Sequence, residues 1–309
     1  MLRDGAWYWW DVAPQSVWYP LGFPLQLTTN SPEVLRAAGQ SWGESEQAFD
    51  AQPLCLRVTV SPGEKAAGPA FHIDGHLLTI VGDRENYAIA DLNGLSACCR
   101  VTAGTVADAA WFRWFFLDAL ILSLLAQKHT VPVHAGCVAR EKSGVLLFGS
   151  SGAGKSTLAW ACARAGWRLV GDDAAWLLPG AEPAMAIGRP QQVRLRPDAP
   201  RHFPELAGLA AKARPNGKMS IELRLCEFPD IRTAPRTEIE RVVLLERGAG
   251  VGLIPIARET ALQAMLRDCV PYREEVHARH KATVSKLADV PAFRLQYRSL
   301  DEALELLRC

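Results

Sequence analysis

Residues 144–173 read GVLLF GSSGAGKS TLAWACARAGWRLVGDD. Gly144 to Phe148 is a short apolar run, and Gly149 to Ser156 matches G-x-x-x-x-G-K-[ST] in full. Ser156 to Arg164 has the composition of a helix, with a stop at Gly166. Trp167 to Val170 is a second strand-like run that ends at Gly171-Asp172-Asp173. Strand, glycine loop, helix and strand in that order predict an α/β layer. A helix of about eleven residues is about 16 Å long, enough to cross back over a sheet. Such strand–helix–strand connections are right-handed and parallel in nearly all cases. The two acids are therefore expected at the same sheet edge as the glycine loop.

The residue types in the loop suit phosphate. Glycines let successive backbone N–H groups turn inward as an anion nest, and the following helix N-terminus adds partial positive charge. Gly149, Ser150, Ser151, Gly152, Ala153, Gly154, Lys155, Ser156 and Thr157 are expected to hold a nucleotide. Lys155 would reach the β- and γ-phosphates and Ser156 would ligate Mg²⁺. Because strand side chains alternate, Asp172 and Asp173 are expected to do different jobs, one at the metal and one facing an acceptor. Asp-Asp at a strand end also occurs as a turn or cap. Upstream, Val133 to Arg140 and Gly144 to Phe148 read as a hairpin around Glu141-Lys142-Ser143. A three- or four-residue loop would set His134 opposite Ser150 or Ser151, beside the phosphate site.

The rest of the sequence bounds the reading. The chain has 309 residues, 49% hydrophobic and 22% charged, which excludes wholesale disorder. Lys plus Arg number 34 against 33 Asp plus Glu, so no basic stripe for nucleic acid and no polybasic membrane patch is expected. The N-terminal stretch lacks a signal-peptide pattern. The apolar run Ala109 to Ala126 is interrupted by Arg113 and Asp118, and reads as a buried helix of a cytoplasmic protein rather than a span. None of the eight cysteines forms Cys-x-x-Cys, so reduced thiols are expected. Residues 1–106 read as a strand-rich domain and 107–309 as the phosphate-loop domain. A helix is expected to start at Ser31-Pro32-Glu33, with Val34, Leu35, Ala38 and Trp42 on one face. Ser299 and Glu302 have capping-box spacing.

His134-Ala-Gly, Gly149 to Thr157, and Gly166 to Asp173 together resemble the catalytic domain of the bacterial HPr kinase/phosphorylase family. The resemblance covers about fifty residues. It implies a phosphoenolpyruvate carboxykinase-like mixed α/β sheet with flanking helices. It implies ATP and Mg²⁺ as cofactors and transfer of the γ-phosphoryl group to a serine hydroxyl on a protein or peptide. It also implies Asp172 as general base and Lys155 at the γ-phosphoryl, with His134, Asp173 and Ser156 around Mg²⁺ and phosphate. Arg189-Pro190 to Pro197-Asp198 replaces the family's Glu-x-Arg-Gly-Leu-Gly signature, a region the family uses for dephosphorylation and oligomer contacts. The chain looks closer to the divergent HPr-kinase-like branch, some of whose members resemble tailoring enzymes for ribosomally made peptides.

A second function class, an ATP-gated binding module without transfer, shares the same loop. Transporter ATPases and guanine-nucleotide switches are disfavoured, since neither Leu-Ser-Gly-Gly-Gln nor Asn-Lys-x-Asp occurs. Arg189, Arg194, Arg196 and Lys218 are candidates for additional positive charge, with Arg189 and Lys218 favoured for their turn-like settings. Trp7, Tyr8, Trp9, Trp10, Trp18 and Tyr19 suggest either an inward-packed sheet or a partner platform. His72 with His76, and His277 with His280, lack the further ligands that zinc needs. The acceptor and any homo-oligomer are not specified by the sequence.

Overall fold

The computed structural model describes residues 15–247, 250–267 and 273–308. Trp7, Tyr8, Trp9 and Trp10 lie outside them, as do Cys269, Tyr272 and Cys309. The chain divides into two compact units, Met1–Lys128 and His129–Cys309. The boundary expected near residue 106 thus falls after the apolar helix rather than before it.

The first unit is built on a seven-stranded mixed sheet in the order Gln15–Trp18, Leu25–Thr29, Leu54–Ser61, Ser96–Thr102, Tyr87–Asp91, Leu77–Val81, Ala70–Asp74. Alternation sets its faces: Leu54, Leu56 and Val58 are buried while Cys55 and Arg57 are exposed. Helix Pro32–Trp42 links two parallel strands and buries Val34, Ala37, Ala38 and Trp42. Its Ser31 hydroxyl donates to the Glu33 carboxylate at 2.9 Å rather than capping an amide. Asp108 breaks the chain after Ala103–Ala107 and caps the next segment by accepting from Trp111 N–H at 3.1 Å. From there Ala109–Lys128 runs through a π-helical turn at Arg113–Leu117. This helix is long and apolar enough to cross a membrane by length and composition, and half of it is buried. Trp111 and Phe116 are buried, whereas Trp114 and Phe115 are half-buried.

The second unit is a mixed α/β layer. Its main sheet has the order Arg168–Gly171, Gly136–Arg140, Ser143–Phe148, Arg236–Arg247, Met185–Ile187, Ala175–Leu177, Val131–Val133. Ala292–Tyr297 and Gly252–Pro255 extend it beside the long Arg236–Arg247 strand. A separate three-stranded sheet holds Gln192–Leu195, Met219–Arg224 and Lys212–Ala213.

Alternation along Ser143–Phe148 sends Val145 and Leu147 to one core and Leu146 and Phe148 to the other. On the first side lies helix Lys155–Arg164, whose Leu158, Ala159, Trp160 and Cys162 fill the space between the main sheet and the small one. The small sheet contributes Val193, Leu195, Ile221 and Leu223 to that core. Helices Arg258–Leu266 and Glu274–Lys286 cover the other side through Ala261, Met265 and Val284. The final helix, Leu300–Arg308, has a reciprocal capping box: Glu302 N–H donates to Ser299 Oγ at 3.2 Å, and Ser299 N–H to Glu302 Oε2 at 3.4 Å.

Trp160 is fully buried and meets Phe228 edge-on at 5.3 Å. Trp160→Ala should therefore destabilise the second unit by about 3–5 kcal/mol. Chemical denaturation followed by far-UV circular dichroism measures this; a loss under 1 kcal/mol would contradict the packing described.

Candidate functional site

The glycine loop joins strand Ser143–Phe148 to helix Lys155–Arg164. Gly154 takes φ 104° at the helix N-cap, a left-handed conformation that a side chain strains. Lys155 is buried, and its ammonium donates to the Gly149 carbonyl at 2.8 Å and the Ser150 carbonyl at 3.5 Å. Tyr297, buried and two strands away from the loop strand across Arg236–Arg247, donates its hydroxyl to the Ala153 carbonyl at 3.3 Å. It braces the loop from below, a role with no local sequence signal because the contact spans 144 positions.

The acids arrive by a route that differs in detail from the expected one. Strand Arg168–Gly171 does run parallel to the loop strand, but Gly136–Arg140 lies between them, antiparallel to both. The hairpin turn has two residues, Glu141 and Lys142, with Glu141 at φ 55°. Its ladder runs from Arg140 opposite Ser143 to Gly136 opposite Leu147, so His134 lies beyond it rather than facing Ser150 or Ser151. The expected Val133–Arg140 strand is in fact two strands separated by His134-Ala135.

That break places the histidine. Cys137 pairs with Gly171 on one side of it, and Val133 pairs with Ala175 on the other. The links His134-Ala135 and Asp172-Asp173-Ala174 therefore face each other. Gly136 permits the approach, since a Cβ there would lie 3.2 Å from the Asp172 carbonyl oxygen. The result is a His134 Nε2 to Asp173 Oδ1 contact of 3.1 Å.

The two carboxylates live in different surroundings. Asp173 is exposed and lines a cleft of about 500 Å³ together with His134, Ser151, Gly152, Lys155 and Ser156. The hydrogen bond to His134 lowers its carboxyl pKa against the opposing effect of burial, and the charges of His134, Lys155 and Arg214 lower it further. Asp172 is buried behind this surface. Its Oδ2 accepts the Arg194 backbone N–H at 2.9 Å, and its carboxylate lies against the Ser156 hydroxyl, which also donates to the Asp172 carbonyl at 3.4 Å. Burial pushes the Asp172 carboxyl up to about 6; the Arg194 amide opposes this and the Asp173 charge adds to it.

Facing the loop across the cleft is the small sheet and its connections. Arg194, Arg196, His202, Arg214 and Lys218 line the cleft there; Arg189 does not. Arg194 is engaged with Glu222 at 3.0 Å and with Gln192 at 2.8 Å. Arg196 reaches over the loop: a Cβ placed on Gly152 would lie 3.4 Å from its Nη1. Arg214 was not singled out by the sequence, because its placement depends on a three-stranded sheet of short strands.

Fold and cleft together define a mixed α/β unit in which a glycine loop, a lysine, a histidine and paired acids meet at one sheet edge. No family model matches the chain, and no curated protein matches it. Among solved structures the chain is similar to the Hpr(Ser) kinase/phosphatase from Coxiella burnetii. The TM-score is 0.31 and the identity 14%, over 57% of this chain and 88% of that one.

The Asp172 environment sets a pH dependence. A carboxyl raised from its ordinary 3.8 to about 6 makes the folded state bind the extra proton between those values, so its contribution to stability falls as pH rises through that window. The loss amounts to roughly 2–3 kcal/mol. In metal-free buffer, Asp172→Asn should melt higher than the native chain at pH 8, with the gap shrinking towards pH 4. A gap that stays constant with pH, read by thermal denaturation, would contradict this.

Proposed function

We propose that this chain is an ATP-dependent kinase that transfers a γ-phosphoryl group to a serine-type hydroxyl on a protein or peptide. The observation that carries the reading is the shared cleft: the loop residues Ser151, Gly152 and Gly154, with Lys155, Ser156, His134 and Asp173, line one space of about 500 Å³. Phosphoryl transfer asks the protein mainly for positioning and charge stabilisation, and these groups supply both.

The donor set suits Mg²⁺, which favours hard oxygens and takes one or two carboxylates plus phosphate. Bound there, the ion would neutralise charge on the β- and γ-phosphates. Ser156 would hold it from the loop, and Asp172, lying against the Ser156 hydroxyl, would support it from behind. Lys155 stabilises the charge that builds on the transferring group.

A general base has to come within about 2.6–3.2 Å of the acceptor hydroxyl. Asp173 stands on the cleft surface with His134 fixing its orientation, whereas Asp172 is buried with one oxygen on the Arg194 amide. The family resemblance implies the reverse division, with Asp172 as base and Asp173 at the metal; cleft exposure favours Asp173 as base. In this division Asp173 takes the serine proton as the serine oxygen bonds to the γ-phosphorus, and ADP leaves with the bridging oxygen.

Lys155→Ala should abolish Mg-ATP binding in calorimetry. Asp173→Asn should lower transfer at least a hundredfold, consistent with removal of a general base, while leaving Mg-ATP affinity within about threefold. Asp172→Asn should weaken Mg-ATP instead. Intact-mass detection of an added phosphate on serine peptides reads transfer. Transfer that survives Asp173→Asn but is lost in Asp172→Asn with Mg-ATP affinity intact would overturn the division. ATP-dependent partner affinity without any phosphorylated product would replace the kinase by the gated binding module.

A further inference from the structure

The small sheet opposite the loop is amphipathic in an unusual sense. Val193, Leu195, Ile221 and Leu223 enter the core beneath it. Strand alternation sends Arg194 and Glu222, which pair across the ladder, to the other face, and two residues further along come Arg196 and Ser220. The third strand brings Lys212 opposite Ser220 and leads into Arg214, which lines the cleft together with Lys218. Arg214 and Lys218 close the hairpin: Arg214 N–H donates to the Lys218 carbonyl at 2.9 Å, and Gly217 N–H to the Arg214 carbonyl at 2.8 Å. The Asn216 side chain accepts the Lys218 N–H at 3.2 Å, so the turn that carries both cations is itself tied.

This wall divides into two parts. Arg196 lies over Gly152 and belongs with the phosphates of the loop. Arg214, Lys218 and Ser220 line the cleft from the hairpin, and Arg214 is close enough to Asp173 for its charge to act on that carboxylate. Ser220 is 97% buried by its 3% exposure, and its hydroxyl has no hydrogen-bond partner among the described residues. A buried hydroxyl without a partner is costly unless a ligand completes it. A guanidinium fork, an ammonium and a hydroxyl donor together match a carboxylate.

We propose that Arg214, Lys218 and Ser220 form an acceptor subsite that binds a carboxylate next to the hydroxyl to be phosphorylated, so that acidic peptides are the preferred acceptors. The subsite rests on the reading of the cleft as a transfer site. The carboxylate can come from an Asp or Glu side chain or from a peptide's free C-terminus. Either source places the anion against the hairpin and the hydroxyl towards Asp173.

Fluorescein-labelled peptides separate these cases in anisotropy titrations of the full chain with Mg²⁺ and a non-hydrolysable ATP analogue. The probes are amidated Glu-Glu-Ser-Glu-Glu, amidated Gln-Gln-Ser-Gln-Gln, and Gln-Gln-Ser with a free C-terminus. The glutamate peptide, the free-terminus peptide or both should bind at least tenfold tighter than the amidated glutamine peptide; which of them does so names the source. Arg214→Gln with Lys218→Gln should reduce that preference to within threefold and leave affinity for the ATP analogue unchanged, and Ser220→Ala should weaken the preferred peptide severalfold. Equal binding of all three peptides, or none, overturns the subsite, as does a double variant that loses the nucleotide instead. Because binding is read without transfer, an acidic preference with no phosphorylated product under Mg-ATP would sink the kinase reading and leave the subsite standing.

Discussion

Two facing chain links hold the site together. Pairing of Cys137 with Gly171 and of Val133 with Ala175 fixes the backbone on both sides of His134-Ala135 and of Asp172-Asp173-Ala174. Neither link is in a strand, so each is free of ladder constraints, yet both ends of each are anchored. The 3.1 Å contact between His134 and Asp173 follows from that anchoring. It also separates the acids: Asp172, the first residue past the strand, is drawn under the Arg194 amide, and Asp173 turns to the cleft. The difference between a raised and a lowered carboxyl pKa is a consequence of one residue's displacement along the chain.

The second constraint is the helix that leaves the loop. Lys155–Arg164 is packed on two sides, by the main sheet through Val145 and Leu147 and by the small sheet through Val193 and Ile221. This double contact sets the distance between the loop and the wall of cations, and so the width of the cleft. Trp160 and Tyr297 do different parts of that work, one filling the core under the helix and the other holding the Ala153 carbonyl. Neither touches the cleft, since neither is among its lining residues.

Much of this was legible in the sequence where the signal is local. The loop, the helix after it, and the strand ending at the acids follow from spacing within thirty residues, and the Ser299–Glu302 cap from spacing of three. What was not legible is pairing over long separations. The insertion of Gly136–Arg140 between the loop strand and the acid strand has no local signature, and the two-residue turn at Glu141-Lys142 shifted the register by which His134 was placed. The small sheet is made of strands of two to six residues, too short for a clear period. Turn-like settings favoured Arg189, which does not line the cleft, and Lys218, which does, while Arg214 is brought in by a small sheet that has no local signature. The unit boundary differs because the apolar helix, grouped by the sequence reading with the phosphate-loop domain, belongs with the first unit.

The facing links make one claim above all, that His134 and Asp173 act as a single unit. Under the proposed kinase reading, a double-mutant cycle on the rate of phosphate transfer tests it, with His134→Ala, Asp173→Asn and the double variant measured against the native chain. Residues acting as one unit lose their effect once, so the double variant should transfer no more slowly than Asp173→Asn alone. Multiplying effects, with the double variant slower by the product of the two single losses, would contradict it.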